Sequence, residues 1–197
     1  MKEFSYKINL CIVGKEDKYN QIFLNYLNKL SLSSEKEGEE EEIFLIQDDL
    51  PIKIKPFIVL NLEDLITQFK DIKKINILIC LLNLKDKNSL QIFNLANYTK
   101  FVDIFKFKGI PALVGVDLDN DSDENIIHQK GLNEFSLISK ARELKFIYCF
   151  KLSDRLKELS QIYNTLFRDV LQKFKILNPN LFEKAKLYAL DLINQHE

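Results

Sequence analysis

The chain has 197 residues, 46% hydrophobic and 29% charged, enough to bury one continuous core and too few for a second full domain. Its 28 basic and 29 acidic side chains nearly cancel at −1, so no molecular monopole draws it onto nucleic acid, which is not expected as a partner. No apolar run reaches the roughly 18 residues that span a bilayer, the start MKEFSYK lacks a signal's apolar stretch and the end LINQHE has no cysteine to prenylate, so neither membrane insertion nor a lipid anchor is expected.

The segment KINLCIV (7–13), dense in aliphatic and β-branched residues, predicts a strand buried on both faces. After Gly14 the period changes, and Ile22, Phe23, Tyr26, Leu27 and Leu30 form one stripe of a helix. The next stretch, SSEKEGEEEE (33–42), holds six glutamates and one lysine, a net −5 that leaves +4 on the remainder. Like charges at this density repel, which predicts a solvated loop over 31–42.

EIFLIQ and IKIKPFIVLNL flank the turn residues Asp48, Asp49 and Pro51 and predict an antiparallel hairpin; Lys53 and Lys55, alternating with isoleucines, suit a strand near a sheet edge. INILICLLNL (75–84) is a second buried strand, followed by a helix opened by Asn88 and Ser89 and carrying Phe93, Ala96, Val102 and Phe105. IPALVGV (110–116) and KFIYCF (145–150) are the last two strands, with a helix over FSLISKAREL between them. A long amphipathic helix follows, with Leu156, Leu159, Ile162, Tyr163, Leu166, Phe167, Val170 and Phe174 on its inner stripe. The three cysteines, Cys11, Cys80 and Cys149, sit inside apolar runs without paired ligand spacing and predict reduced core residues of a cytoplasmic protein.

This order gives a mostly parallel six-stranded sheet with one antiparallel strand and helices on both faces. Ligands on such sheets bind beyond the carboxyl ends of the strands. A phosphate-binding loop at the first of these ends needs Gly-x4-Gly-Lys-Ser/Thr: glycines so that amides can wrap phosphate, a lysine as point charge, a hydroxyl for magnesium. Counted from Gly14, those later positions hold Tyr19, Asn20 and Gln21, and only Lys15 and Lys18 remain as nearby cations.

By element order and loop placement, residues 5 to 176 resemble the small Ras-like GTPases, and GIPALVGVDLD, ISKARELKFIYCF and LSQIYNTLFRDVL are most similar to the septum-promoting branch of that family. The resemblance implies a P-loop NTPase-like three-layer α/β fold over 1–176, with 177–197 as a helical extension. It also implies where nucleotide contacts belong. The family's Asp-x-x-Gly falls on Asn61 and Asp64, and its base-reading Asn/Thr-Lys-x-Asp falls on Val116, Asp117, Leu118 and Asp119 after Val114 and Gly115. Its Ser-Ala-Lys falls on Cys149, Phe150 and Lys151, and the magnesium-closing threonine has only Ser33 or Ser34 as forced candidates. The remnants are thus Gly14, Lys15, Lys18, Asp119 and Lys151. Phosphoryl transfer rests on positioning and charge stabilisation, and most groups supplying either are replaced. The expectation is a catalytically inactive relative that serves as a protein-interaction subunit or scaffold, with protein partners and no cofactor. The alternative is a divergent switch binding GTP or GDP with magnesium through those five remnants.

Three other signals are weaker. Asp117, Asp119 and Asp121 match the first positions of a calcium loop, but Ser122 replaces its glycine and His128 its bidentate glutamate. His128 and His196 are too far apart in sequence to suggest a catalytic triad. A receiver-type domain needs paired acids after its first strand, whereas Glu16 and Asp17 follow a glycine that fits a phosphate loop better. In the tail, Pro179 punctuates, Asn180 is a candidate cap, and Leu181, Phe182, Ala185, Tyr188, Leu192 and Ile193 form a stripe that must dock on its own domain or on a partner.

Overall fold

The computed structural model describes residues 5–37, 40–68, 74–118 and 132–194. In chain order the elements are β1 (Tyr6–Val13), α1 (Asp17–Leu30), β2 (Ser33–Glu37), β3 (Glu40–Gln47), β4 (Leu50–Val59), α2 (Leu62–Gln68) and β5 (Ile77–Asn83). They continue with α3 (Ser89–Ile92), α4 (Leu95–Phe105), β6 (Ile110–Val116), α5 (Glu134–Glu143), β7 (Tyr148–Leu152), α6 (Arg155–Leu177) and α7 (Pro179–Asn194). The sheet runs β2-β3-β4-β1-β5-β6-β7. β1 is parallel to β4 and β5, β6 is parallel to β5 and β7, and β3 alone is reversed against its neighbours β2 and β4.

The period-2 burial of the strands divides the core into two layers. Ile8, Leu10 and Ile12 of β1, with Ile77, Ile79 and Leu81 of β5, pack under Phe23 and Leu27 of α1 and Tyr163, Leu166 and Phe167 of α6. Cys11, Val13, Leu78, Cys80 and Leu82 face the other way, toward Leu65 of α2, Phe101 and Phe105 of α4, and Leu137 and Ala141 of α5. Helices cover both faces, so every central strand buries two sides, which is why the strands read as unbroken apolar runs. The result is a three-layer α/β architecture.

Several local expectations need correction. The acidic run is not a loop: Ser33–Glu37 pairs antiparallel with Glu40–Phe44, adding a seventh strand among the described residues. Glu42 meets Lys53 of β4 in a mostly buried ion pair, so Lys53 is no edge marker but neutralises an acid on the neighbouring strand, and Lys55 lies over the Phe57 ring. β4 is consequently an interior strand. The single helix expected after β5 is two, because Phe93 leaves helical geometry and Asn94 recaps, its side chain accepting from Asn97 N at 2.8 Å. Helix α2 was not anticipated. Cys11 and Cys80 are buried, but Cys149 is exposed, since β7 has a neighbour on one side only and its burial alternates. Leu30 and Leu156, at the ends of their stripes, are exposed too.

α7 begins at Pro179 itself, whose missing amide is no loss in a first helical turn. It docks on its own chain. Ala185 and Ala189 are buried, and Phe182 meets Phe174 of α6, which in turn stacks 4.4 Å from Tyr6. Of its predicted stripe, Leu181 is exposed.

Candidate functional site

The carboxyl edge of the sheet brings together the loops that leave β1, β4, β5, β6 and β7. The first is very short. β1 ends at Val13 and α1 begins at Asp17, so only Gly14, Lys15 and Glu16 connect them. Three residues cannot present the run of amides that wraps a phosphate. Tyr19 and Asn20, at the positions of the second glycine and the lysine, lie in the first turn of α1 and are buried, and their amides are taken by the Glu16 carbonyl at 3.0 and 3.4 Å.

Asn20 Nδ2 donates to the Gly14 carbonyl at 2.8 Å. Its Oδ1 is one of two buried side-chain atoms without a partner among the described residues. That oxygen would lie 2.7 Å from a Cβ at position 14, and Leu81 Cβ would lie at 3.0 Å, so glycine is required here for close packing. Gln21, at the hydroxyl position, turns back to Asp17 at 3.5 Å.

The remaining space is a shallow cleft between Gly14, Lys15, Glu16, Tyr19, Asn83 and Asp86, with a volume of about 10 Å³, room for one water. Glu16 dominates it. Asn83 Nδ2 donates to Glu16 Oε1 at 2.5 Å, and Lys18 Nζ approaches Glu16 Oε2 at 3.2 Å while lying 4.9 Å over the Tyr19 ring. Burial pulls the Lys18 ammonium down, but Glu16 and Tyr19 outweigh it and leave the pKa above its ordinary value. Burial pushes the Tyr19 phenol up, with Glu16 adding to it. Asn83 is fixed from both sides: its amide donates to Ser89 Oγ at 2.8 Å and its Oδ1 accepts from Lys85 N at 2.9 Å. The protein thus holds its own carboxylate beside the start of α1, where an incoming anion would meet like charge.

After β4, Asn61 caps α2. Its Oδ1 accepts from Asp64 N at 2.8 Å, and its Nδ2 donates to Asp64 Oδ2 at 2.8 Å. The first bond satisfies a free amide of the first helical turn and the second joins the two side chains. Both side chains are committed to the helix they begin.

The loops after β6 and β7 are joined by an ion pair between Lys151 Nζ and Asp117 Oδ2 at 2.9 Å, both partly exposed. The hydrogen bond to Asp117 holds the Lys151 ammonium above its usual value. Lys151 is therefore engaged by Asp117. Gly115 packs beneath Leu84 and Leu137, where a Cβ would come within 2.8 Å of both. Asp119, Asp121, Ser122, His128 and His196 lie outside the described residues. Ser33 and Ser34 are in β2, paired with Phe44 and Ile43. Among the described residues no group of three or more His, Cys, Asp or Glu could hold a metal ion.

Of the five residues singled out in the sequence, Gly14 and Lys15 line the cleft, Lys18 pairs with Glu16 beside it, and Lys151 lies on a different loop pair. The residues that organise the cleft, Glu16, Asn83 and Ser89, were not singled out by sequence reasoning as site residues. The available signal was Asn83, the first polar residue after the buried run ILICLL, at the strand end where ligands bind. No family model matches the chain, and no curated protein matches it significantly.

Proposed function

We propose that this protein is a catalytically inactive relative of the small Ras-like GTPases, acting as a protein-interaction subunit or scaffold. The observation that carries the reading is Glu16. It seats a carboxylate, held by Asn83 and Lys18, at the one loop where nucleotide phosphate would have to enter. The short connection from Val13 to Asp17 and the buried Tyr19 and Asn20 support it at the same loop, and the Asn61 cap and the Asp117–Lys151 pair support it at the others. Asn20, Asn61, Asp64, Asp117 and Lys151 bond to groups of the protein itself, which leaves the outer surfaces of the frame for partners.

The test is the unfolding temperature with and without millimolar GTP or GDP and magnesium, together with mass spectrometry of nucleotide released from the purified protein on denaturation. A ligand at a hundred times its dissociation constant stabilises by about 2.7 kcal/mol, well within detection. The expected result is no shift and no nucleotide. Either a shift or a co-purified guanine nucleotide overturns the reading in favour of a divergent switch.

A further inference from the structure

The opposite rim of the sheet has another chemistry. β5, β6 and β7 are parallel neighbours, so the segments entering them share one edge, and the pairing of Ile77 with Ile110 and of Ala112 with Tyr148 sets those entries nearly level. Lys74 precedes β5, Lys106 and Lys108 precede β6, and Lys145 precedes β7, and all four are exposed. With strands about 4.8 Å apart, the three entries span roughly 10 Å. Lys106 and Lys145 stand at positive φ, 47° and 55°, just past the ends of α4 and α5. None of the four lysines makes an ion pair with a described residue. Among the described residues, the acids on the ends of α4 and α5 at this rim are Asp103, which is exposed, and Glu143, which Lys140 holds at 3.0 Å; Asp48 and Asp49, at the entry of β4 on the same rim, face Arg168 and Lys186, and Lys100 and Arg142 add further positive charge.

Lysines near helix carboxyl ends have an ordinary explanation in the helix dipole. That explanation leaves two side chains unaccounted for. Ile104, near the end of α4, is 49% exposed, and Ile147, immediately before β7, is 59% exposed, so aliphatic groups stand out among the lysines. The aromatic residues of the same segments do the reverse: Phe107 packs 5.2 Å from Phe101 and Phe146 packs 4.9 Å from Tyr98.

We propose that this rim is a peripheral docking surface for an anionic lipid membrane. Lysines flanking exposed aliphatic tips suit a charged headgroup layer above an acyl boundary. A single-stranded nucleic acid would draw on aromatic faces for stacking, and here those faces are spent in the core. The net +4 outside the acidic run includes this rim, while the acidic strands β2 and β3 lie at the far side of the sheet from β7. The contact is reversible and weakened by salt. It is independent of the nucleotide reading, because it uses the opposite edge.

The experiment is co-sedimentation of the full chain with vesicles of phosphatidylcholine alone or mixed with phosphatidylserine, at low and physiological salt. The expected result is binding to the phosphatidylserine vesicles only, declining with salt. At about tenfold per 1.4 kcal/mol and about 1 kcal/mol per lysine, Lys74→Gln with Lys108→Gln weakens it by about thirtyfold. That pair avoids the two positive-φ positions, so the fold is kept, and an unchanged melting temperature checks this. Ile104→Ser with Ile147→Ser weakens binding without changing its salt dependence. Absence of binding to phosphatidylserine vesicles at low salt overturns the proposal. So does binding indifferent to either pair of replacements, or preference for a single-stranded oligonucleotide over the vesicles.

Discussion

Asn83 Nδ2 and Glu16 Oε1, from loops 67 residues apart in sequence, meet at 2.5 Å and tie the exit of β5 to the entry of α1. The pair is only partly buried, yet the Asn83 side chain also accepts from the Lys85 amide, and its backbone amide donates to Ser89, so three bonds converge on this residue. Its backbone bond to Ser89 survives side-chain truncation, but the other two do not. Hydrogen bonds to charged groups contribute about 1.5–3 kcal/mol, and exposure reduces this. Asn83→Ala is expected to lower stability by about 1–2 kcal/mol in urea unfolding. Glu16→Gln, which keeps an acceptor for Asn83, is expected to lose less than about 1 kcal/mol. Equal losses would mean that the charge, not the geometry, holds the loops.

Gly14 offers a test of why a residue persists. A Cβ there would meet Asn20 Oδ1 at 2.7 Å and Leu81 Cβ at 3.0 Å, and neither atom is the free end of a flexible chain. Overpacking of this kind costs about 1–3 kcal/mol. Gly14→Ala is therefore expected to shift the urea midpoint downward with the slope unchanged. A neutral substitution would remove the packing reason for the glycine and point back to a ligand.

The frame was legible where burial is two-sided. KINLCIV, INILICLL and IPALVGV read as central strands, and Asp48 and Asp49 marked the hairpin turn, although Pro51, read as a turn residue, pairs with Ile46 inside β4. The acidic run was not legible as strand, because Glu42 of β3 is neutralised by Lys53 of β4, a contact invisible to local charge density. Helix α2 was hidden for a similar reason: the bonds between Asn61 and Asp64 that begin it appear only once both are placed. At the cleft, the motif count drew attention to Tyr19 and Asn20, both of which are buried. It could not show that Glu16 would turn inward, since that depends on Asn83 arriving from another strand.

Tyr148 gives the chain an alkaline dependence. Its hydroxyl donates to Asp169 Oδ2 at 2.5 Å, and this bond, with a smaller contribution from burial, pushes the phenol pKa from 10.0 up to about 12. A phenol whose folded pKa is raised stabilises fully below its unfolded pKa, and that contribution disappears as pH rises from about 10 to about 12. Tyr148→Phe is expected to be less stable than the parent at neutral pH and to converge with it above that window. Urea unfolding of both proteins across the alkaline range checks the convergence; because phenylalanine keeps the ring on Phe150, a constant gap would mean that the difference does not come from the titration of the hydroxyl bonded to Asp169.

The β3–β4 turn sets two small effects against each other. Asp48 and Asp49 have φ of 49° and 60°, a left-handed pair that closes a two-residue hairpin from Gln47 to Leu50. Each also faces a cation, Arg168 at 3.8 Å and Lys186 at 3.9 Å, both from the C-terminal helices. Those pairs are long and exposed, so each contributes about 0–1 kcal/mol, and salt weakens them further. Non-glycine residues held left-handed cost about 1 kcal/mol or more, less for aspartate than for most. Replacing Asp48-Asp49 with Asn-Gly keeps the turn geometry at lower strain and gives up both ion pairs. The strain term is the larger at high salt, so the double variant is expected to be about 0.5–1 kcal/mol more stable there. At low salt the gain should shrink toward zero. If the variant is less stable at both salts, the two aspartates act chiefly as the clasp that holds α6 and α7 to the hairpin.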